Sequence, residues 1–198
     1  MNFQNIWLIT KRLALGCALI LCSGCVTLHT SLNYSVDQNR DKIGENTVVL
    51  LQDVDDFRGV ESTVIGHFLL GGDTKGNVFH QPKDLFPKLQ AILQNELTAS
   101  GFAVEPGRAY EIEIIPSLSS LGCVQTGYQG ATASMSMAIV VKDRGKLVIE
   151  HTYEASEVAK HFDAGGIPPT SHCNVAITRT TRTIMSEFIS DMQEYMTS

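Results

Sequence analysis

Between positions 131 and 156 apolar and polar residues alternate on either side of Asp143-Arg144-Gly145. On one side Ala131, Ala133, Met135, Met137, Ile139 and Val141 alternate with Thr132, Ser134 and Ser136. On the other, Leu147, Ile149, Tyr153 and Ala155 alternate with Glu150, Thr152, Glu154 and Ser156. Successive strand side chains point to opposite faces, so the pattern predicts a hairpin of two strands, each with one apolar face. Any fold for this chain must cover that face.

Two segments have the helical period needed to do so. Leu85, Leu89, Ile92, Leu93 and Leu97 fall on one stripe of a helix that Asp84 can cap, with Pro87 in the first turn and Gly101 as a stop. After Gly165-Gly166-Ile167-Pro168-Pro169, Ile177, Ile184, Met185, Phe188, Met192 and Met196 define a second amphipathic helix. The run Thr47-Val48-Val49-Leu50-Leu51-Gln52-Asp53-Val54 predicts a strand buried on both faces, central in a sheet. A further strand is expected within residues 60–70, with Gly71-Gly72-Asp73 and Lys75-Gly76-Asn77 as loops. Phe102-Ala103-Val104 and the alternation of Tyr110, Ile112 and Ile114 with Glu111 and Glu113 add two more strands. The expected class is α+β, an antiparallel sheet with two amphipathic helices packed on one face. At 198 residues the chain has room for one such domain, assigned to residues 47–198.

The N-terminus is a different kind of sequence. Lys11-Arg12 precedes Leu13-Ala14-Leu15-Gly16-Cys17-Ala18-Leu19-Ile20-Leu21, and Cys22-Ser23-Gly24-Cys25 follows. A basic patch, a short apolar run and small residues form the order of a secretory signal. The run falls short of the about 20 apolar residues that span a bilayer. Small residues directly before Cys25 resemble the bacterial lipobox, although Cys22 stands where leucine is usual. Ala14-Leu15-Gly16-Cys17 is a rival box that would leave Ala18-Leu19-Ile20-Leu21 exposed on the mature chain. The resemblance implies a signal peptide over residues 1–24 and acylation of Cys25. Because each buried CH₂ contributes about 0.8 kcal/mol, two or three acyl chains hold a protein on a membrane. Val26 rather than Asp after the cysteine favours the outer membrane, on its periplasmic face.

Residues 25–46 are mostly polar and aperiodic and are expected to form the lipidated cysteine plus a tether of up to ~70 Å contour. Loss of Lys11 and Arg12 with the signal removes two of the 15 basic residues and takes the formal charge from -6 to -8. An acidic chain without a basic stripe lacks the footprint of a nucleic-acid binder, and membrane contact must come from hydrocarbon rather than charge. Of five cysteines, Cys17 and Cys22 leave with the signal and Cys25 is alkylated. Cys123 and Cys173 remain, and two readings stand: a disulfide, which the periplasm permits, or two separately buried thiols.

Candidate chemistry is sparse. Asp53, Asp55 and Asp56 are hard-cation ligand types, but the stretch lacks the glycine and terminal glutamate of an EF-hand loop and reads as a solvated strand end. His161, His172 and Cys173 match no zinc spacing and read as loop residues, with Cys173 bridged or buried. His151 is expected as a core histidine. No Gly-x-Ser-x-Gly elbow, phosphate loop or dinucleotide fingerprint occurs, and Ser117-Leu118-Ser119-Ser120 reads as strand or loop. No cofactor and no catalytic residue is assigned. Met135, Met137, Met185, Met192 and Met196 suit either core filling or a soft groove for an acyl chain or partner helix.

Asp84-Leu85-Phe86 through Leu97-Thr98-Ala99-Ser100-Gly101-Phe102-Ala103-Val104 resembles the YajG-like lipoprotein family, as do Glu111-Ile112-Glu113-Ile114-Ile115, the long strand from Ala131, and the final helix with Ser190-Asp191-Met192. The resemblance implies export, membrane attachment and this architecture, and transfers no activity residue by residue. The loop over residues 122–130 and the segment over residues 165–173 are particular to this chain. The expected role is a non-catalytic, protein-binding or envelope-assembly module whose partner is another envelope protein. The alternative is an accessory lipoprotein that binds or transfers an apolar envelope ligand.

Overall fold

The computed structural model describes residues 28–38, 40–45, 47–59, 63–69, 75–105, 109–126, 130–160 and 170–198. Cys25, the signal segment, Gly71-Gly72-Asp73, His161 and Gly165-Gly166-Ile167-Pro168-Pro169 lie outside them. In chain order the elements are β1 (Leu28–His29), β2 (Val48–Leu51), β3 (Asp55–Asp56), β4 (Val64–Leu69) and β5 (Lys75–His80). Then follow α1 (Leu85–Ala99), β6 (Ala103–Val104), β7 (Ile112–Thr126), β8 (Gly130–Asp143), β9 (Lys146–Lys160) and α2 (Thr170–Thr197). No helix among the described residues is long and apolar enough to cross a membrane.

The hairpin forms as the alternation requires. Asp143 pairs with Lys146 across a two-residue turn in which Arg144 (φ 48°) and Gly145 (φ 81°) both take positive φ, the backbone whose twist matches that of the flanking strands. From Ala131 to Val141 every second side chain of β8 is buried, none more than 2% exposed. On β9 the pattern departs from expectation. A register shift between Val141 and Lys142 puts Leu147 out of phase and leaves it 50% exposed. His151 is exposed rather than in the core, with its ring 4.6 Å from that of Tyr153.

The centre of the sheet is β7, a longer strand than the sequence suggested. Ser117-Leu118-Ser119-Ser120 and most of the expected loop over residues 122–130 are strand, because an irregularity between Leu118 and Ser120 changes the phase of the alternation. Ile112, Ile114 and Leu118 are buried before it; Leu121 and Cys123 are buried after it. One extra residue in a strand flips every later side chain to the other face, so a single-period reading loses the strand there.

One edge of β7 carries β8 antiparallel, and the other is shared by three parallel strands. β2 pairs along Ile112, Glu113 and Ile114, β3 along Ser117 and Leu118, and β4 from Cys123 to Thr126. The sheet is therefore mixed, with its long strands antiparallel, and the expectation of a purely antiparallel sheet is corrected. The reason is topological: parallel neighbours need crossovers, and α1 with β6 forms one between β2 and β7. β2 is flanked on both edges, by β6 and β7, but of its residues only Val49 is fully buried. Lys75-Gly76-Asn77 is not a loop; it begins β5, which pairs with β4 and β1.

Leu85, Leu89, Leu93 and Leu97 of α1 join Ile177, Ile184, Met185, Phe188 and Met192 of α2 in one core cluster with β7 and β8. α2 packs along β7, β8 and β9, whereas α1 packs beside β6 and meets α2. Asp84 makes no side-chain cap bond and pairs with Lys88 at 3.3 Å instead. Gly101 ends the helix at φ 94° as expected, a conformation in which a Cβ is strained.

Candidate functional site: the docked N-terminal strap and the clefts along α2

The segment expected to be a free tether is docked from Leu28 onward. β1 lies parallel to β5, with Leu28 opposite Phe79. Thr30 donates its N–H and its hydroxyl to the His80 carbonyl at 2.9 and 2.8 Å, and the Ser31 N–H donates to Asn174 Oδ1 at 2.7 Å. Leu32 is 3% exposed within the core. Further along, the N–H groups of Ile43 and Gly44 both donate to the Ser100 carbonyl, which caps the end of α1 with backbone from the strap. The polar residues that suggested a solvated linker are those that make these bonds, while Leu32, Tyr34 and Ile43 supply apolar anchors too widely spaced to show a period.

Glu96 holds the strap at its middle. It is completely buried, accepts a 2.6 Å hydrogen bond from the Tyr34 hydroxyl at Oε1 and meets the Arg40 guanidinium at 2.6 Å through Oε2. Arg182 of α2 lies 5.7 Å over the Tyr34 ring, a cation–π distance. Burial, then the bond to the Glu96 carboxylate and its charge, push ionisation of the Tyr34 phenol well above the usual tyrosine range, against the opposing effect of Arg40 and Arg182. A buried carboxylate is tolerated only when paired, and here both partners come from the strap. The signal was legible. Glu96 stands three residues after Leu93 and four after Ile92, on the apolar stripe itself, and a charge there demands a partner.

Two open clefts border this cluster. One of about 330 Å³ lies between the strap, at Asp37, Arg40 and Asp41, and α2, at Ser186, Ser190 and Gln193. The other, about 470 Å³, lies between β9 at Glu157 and α2 at Arg179, Arg182, Ser186 and Glu187. Ser186 lines both, and charges of both signs face them. A third cleft of about 280 Å³ sits at the C-terminal end of α2, lined by Glu111, Asp143, Tyr195 and Met196, where the Tyr195 hydroxyl donates to Asp143 at 2.7 Å. Such surfaces can hydrogen-bond and ion-pair with a polar partner.

The residues singled out from the sequence are scattered. Cys123 of β7 and Cys173 of α2 are bonded as a disulfide, fully inside the core. His172 is buried in the first turns of α2, 3.4 Å from Gln125, rather than exposed in a loop. Asp55 and Asp56 form β3, with Asp53 exposed just before it. Arg58 binds Asp56 through two bonds of 2.7 and 2.6 Å and lowers its pKa. No cluster of potential metal ligands occurs among the described residues. Met135, Met137, Met185 and Met192 are at most 2% exposed and fill the core.

The sequence matches no protein-family model and no curated protein. The fold defines a class nonetheless, a large mixed sheet with two helices that recurs in solved structures. It is similar to protein XCC0632 from Xanthomonas campestris, described with family model DUF330, at a TM-score of 0.58 and 9% identity over 87% of this chain and 99% of that one. It is similar also to hypothetical protein CT253 from Chlamydia trachomatis, at a TM-score of 0.50 and 10% identity over 76% of this chain and 97% of that one. A third structure, of an uncharacterized protein, gives 0.52 and 9% over 84% and 99%. At these identities the likeness concerns the fold alone.

Proposed function

We propose that this chain is an envelope lipoprotein of the YajG-like kind, acylated at Cys25 and held on the periplasmic face of the outer membrane. Its folded body acts as a non-catalytic module that binds another envelope protein or assists assembly. The observation that carries the membrane attachment is the order of basic pair, apolar run and small residues ending at Cys25. Binding is supported by the outer side of α2, where two clefts lined by charges of both signs meet at Ser186. Rims of mixed charge set partner choice and register more than affinity. The apolar-ligand reading rests on the methionines, and the burial of Met135, Met137, Met185 and Met192 within the core favours the protein-binding reading over it.

The test is in-cell photocrosslinking from a photoreactive residue at Ser186 of the full chain. A single envelope protein recovered reproducibly as the adduct supports the proposal. Adducts only with lipid, or none above the level of a probe at Lys146, would overturn it.

A further inference from the structure

The docked strap sets how far the body can stand from its anchor. Leu28 is fixed by its pairing with β5 and by the bonds of Thr30 and Ser31 that follow. Only three residue steps separate it from Cys25, a reach of at most ~10 Å. The ~70 Å of slack that a free linker would supply does not exist unless the strap undocks, and undocking would break the Glu96 contacts.

The sheet register shows which part of the body this places near the anchor. Leu28 stands in a row that runs through Phe79, Gly66, Cys123, Ala133 and Glu157. Three residues further along the strands, the sheet among the described residues ends at the row Leu69, Thr126, Gly130 and Lys160, ~10 Å away. The opposite end, the turn at Arg144 and Gly145, lies ten or more residues from Ala133 along β8, or ~35 Å. Because β1 runs parallel to β5, the chain entering Leu28 comes from the side of the first end and not the second. Exposed apolar side chains occur at both ends, Val124 and Val158 near the first and Tyr110 and Leu147 near the second. Hydrophobicity does not choose between them; the length and direction of the leash do.

We infer that the lipid anchor is a short leash that orients the body: the end bearing Thr126 and Lys160 rests at the phospholipid bilayer, and the turn at Arg144 points away. This rests on acylation at Cys25. The clefts that meet at Ser186, thirteen residues along α2 from Cys173 and so ~20 Å further out, are then held clear of the membrane at a fixed height.

The acylated full chain, reconstituted in phosphatidylethanolamine and phosphatidylglycerol vesicles carrying a nitroxide headgroup lipid, tests this. A fluorescent non-natural residue is placed at Thr126 or at Lys146, which leaves the disulfide undisturbed. Quenching is expected to be several-fold stronger at Thr126. A Gly/Ser insert of about 15 residues between Thr27 and Leu28, with a mean span of ~20 Å, should narrow the difference between the two sites without releasing the protein from vesicles. Equal quenching at both sites with the natural leash, in protein whose mass shows the acyl groups on Cys25, would overturn the orientation alone. Protein that carries no acyl group and fails to float with vesicles would instead overturn the acylation on which it rests.

Discussion

Tyr34 and Glu96 lie 62 residues apart in the chain and 2.6 Å apart in space, hydroxyl to carboxylate. This bond and the Arg40 ion pair beside it hold the N-terminal strap to α1. A hydrogen bond to a charged group contributes about 1.5–3 kcal/mol, and Tyr34 is only partly buried, so Tyr34→Phe should destabilise by about 1.5 kcal/mol. Limited trypsin digestion provides the sharper readout. Cleavage after Arg40 and Lys42 should accelerate in Tyr34→Phe before any change in cleavage of β7 or β8. Equal acceleration across the whole chain would mean that the strap does not open by itself.

Alkaline pH should act through the tyrosines bonded to carboxylates, Tyr34 and Tyr153 above all. Tyr153 is 1% exposed and donates to Asp191 at 2.8 Å, and burial followed by that bond raises its pKa, as for Tyr34. A group whose folded-state pKa lies above its unfolded value contributes stability that is complete below the unfolded pKa and is lost as pH rises beyond it. Stability should therefore hold up to about pH 10, the usual tyrosine value, and decline above it. Phenolate absorbance in the folded protein should show Tyr34 and Tyr153 among the late-titrating members of the five tyrosines. All five titrating reversibly near pH 10 in folded protein would contradict this.

The Cys123–Cys173 bridge closes a 50-residue separation between β7 and α2. Constraint of the unfolded chain over such a loop is worth up to about 4 kcal/mol, with 2–4 typical. The Cys123→Ala/Cys173→Ala variant should lose that much in urea unfolding, and intact mass before and after reduction and alkylation should report one bridge and no free thiol at these positions. Two alkylated cysteines in unreduced protein would contradict the pairing.

Periodicity decides which of these elements the sequence displays. β8 and both helices carry long, in-phase apolar patterns and are legible, whereas β9 is legible as the return strand of the hairpin but not in the phase of Leu147 or His151. β7 was only half visible because its phase changes between Leu118 and Ser120. β5 was hidden by Lys75-Gly76-Asn77, whose turn-like composition is overridden by pairing with β4. The docking of the strap is hidden in the sequence because short polar segments carry no period, and its fixation depends on Glu96, Asn174 and His80, distant in sequence. Parallel pairing of β2, β3 and β4 with β7 is long-range topology that no local pattern encodes.

Gly66 gives a test of that topology. A Cβ there would collide with the Cys123 carbonyl oxygen across the β4–β7 pair, where neither backbone can yield easily. Gly66→Ala should cost about 3 kcal/mol, at the upper end for overpacking. Gly145→Ala, in open space at φ 81°, should cost only about 1 kcal/mol of backbone strain. Thermal or urea unfolding of the two variants checks the order, and the reverse order would argue against the parallel register.

On the proposed reading, hydrocarbon on the Cys25 sulfur keeps the folded body at a bilayer. Intact-protein mass spectrometry of membrane-extracted chain, beside a Cys25→Ser variant, tests it most directly. The mature protein should begin at Cys25 with diacylglycerol on the thiol and acyl on its amine, and the variant should lose both processing and membrane retention. A wild-type chain that begins elsewhere, or bears no acyl mass at Cys25 while still fractionating with membranes, would contradict the account.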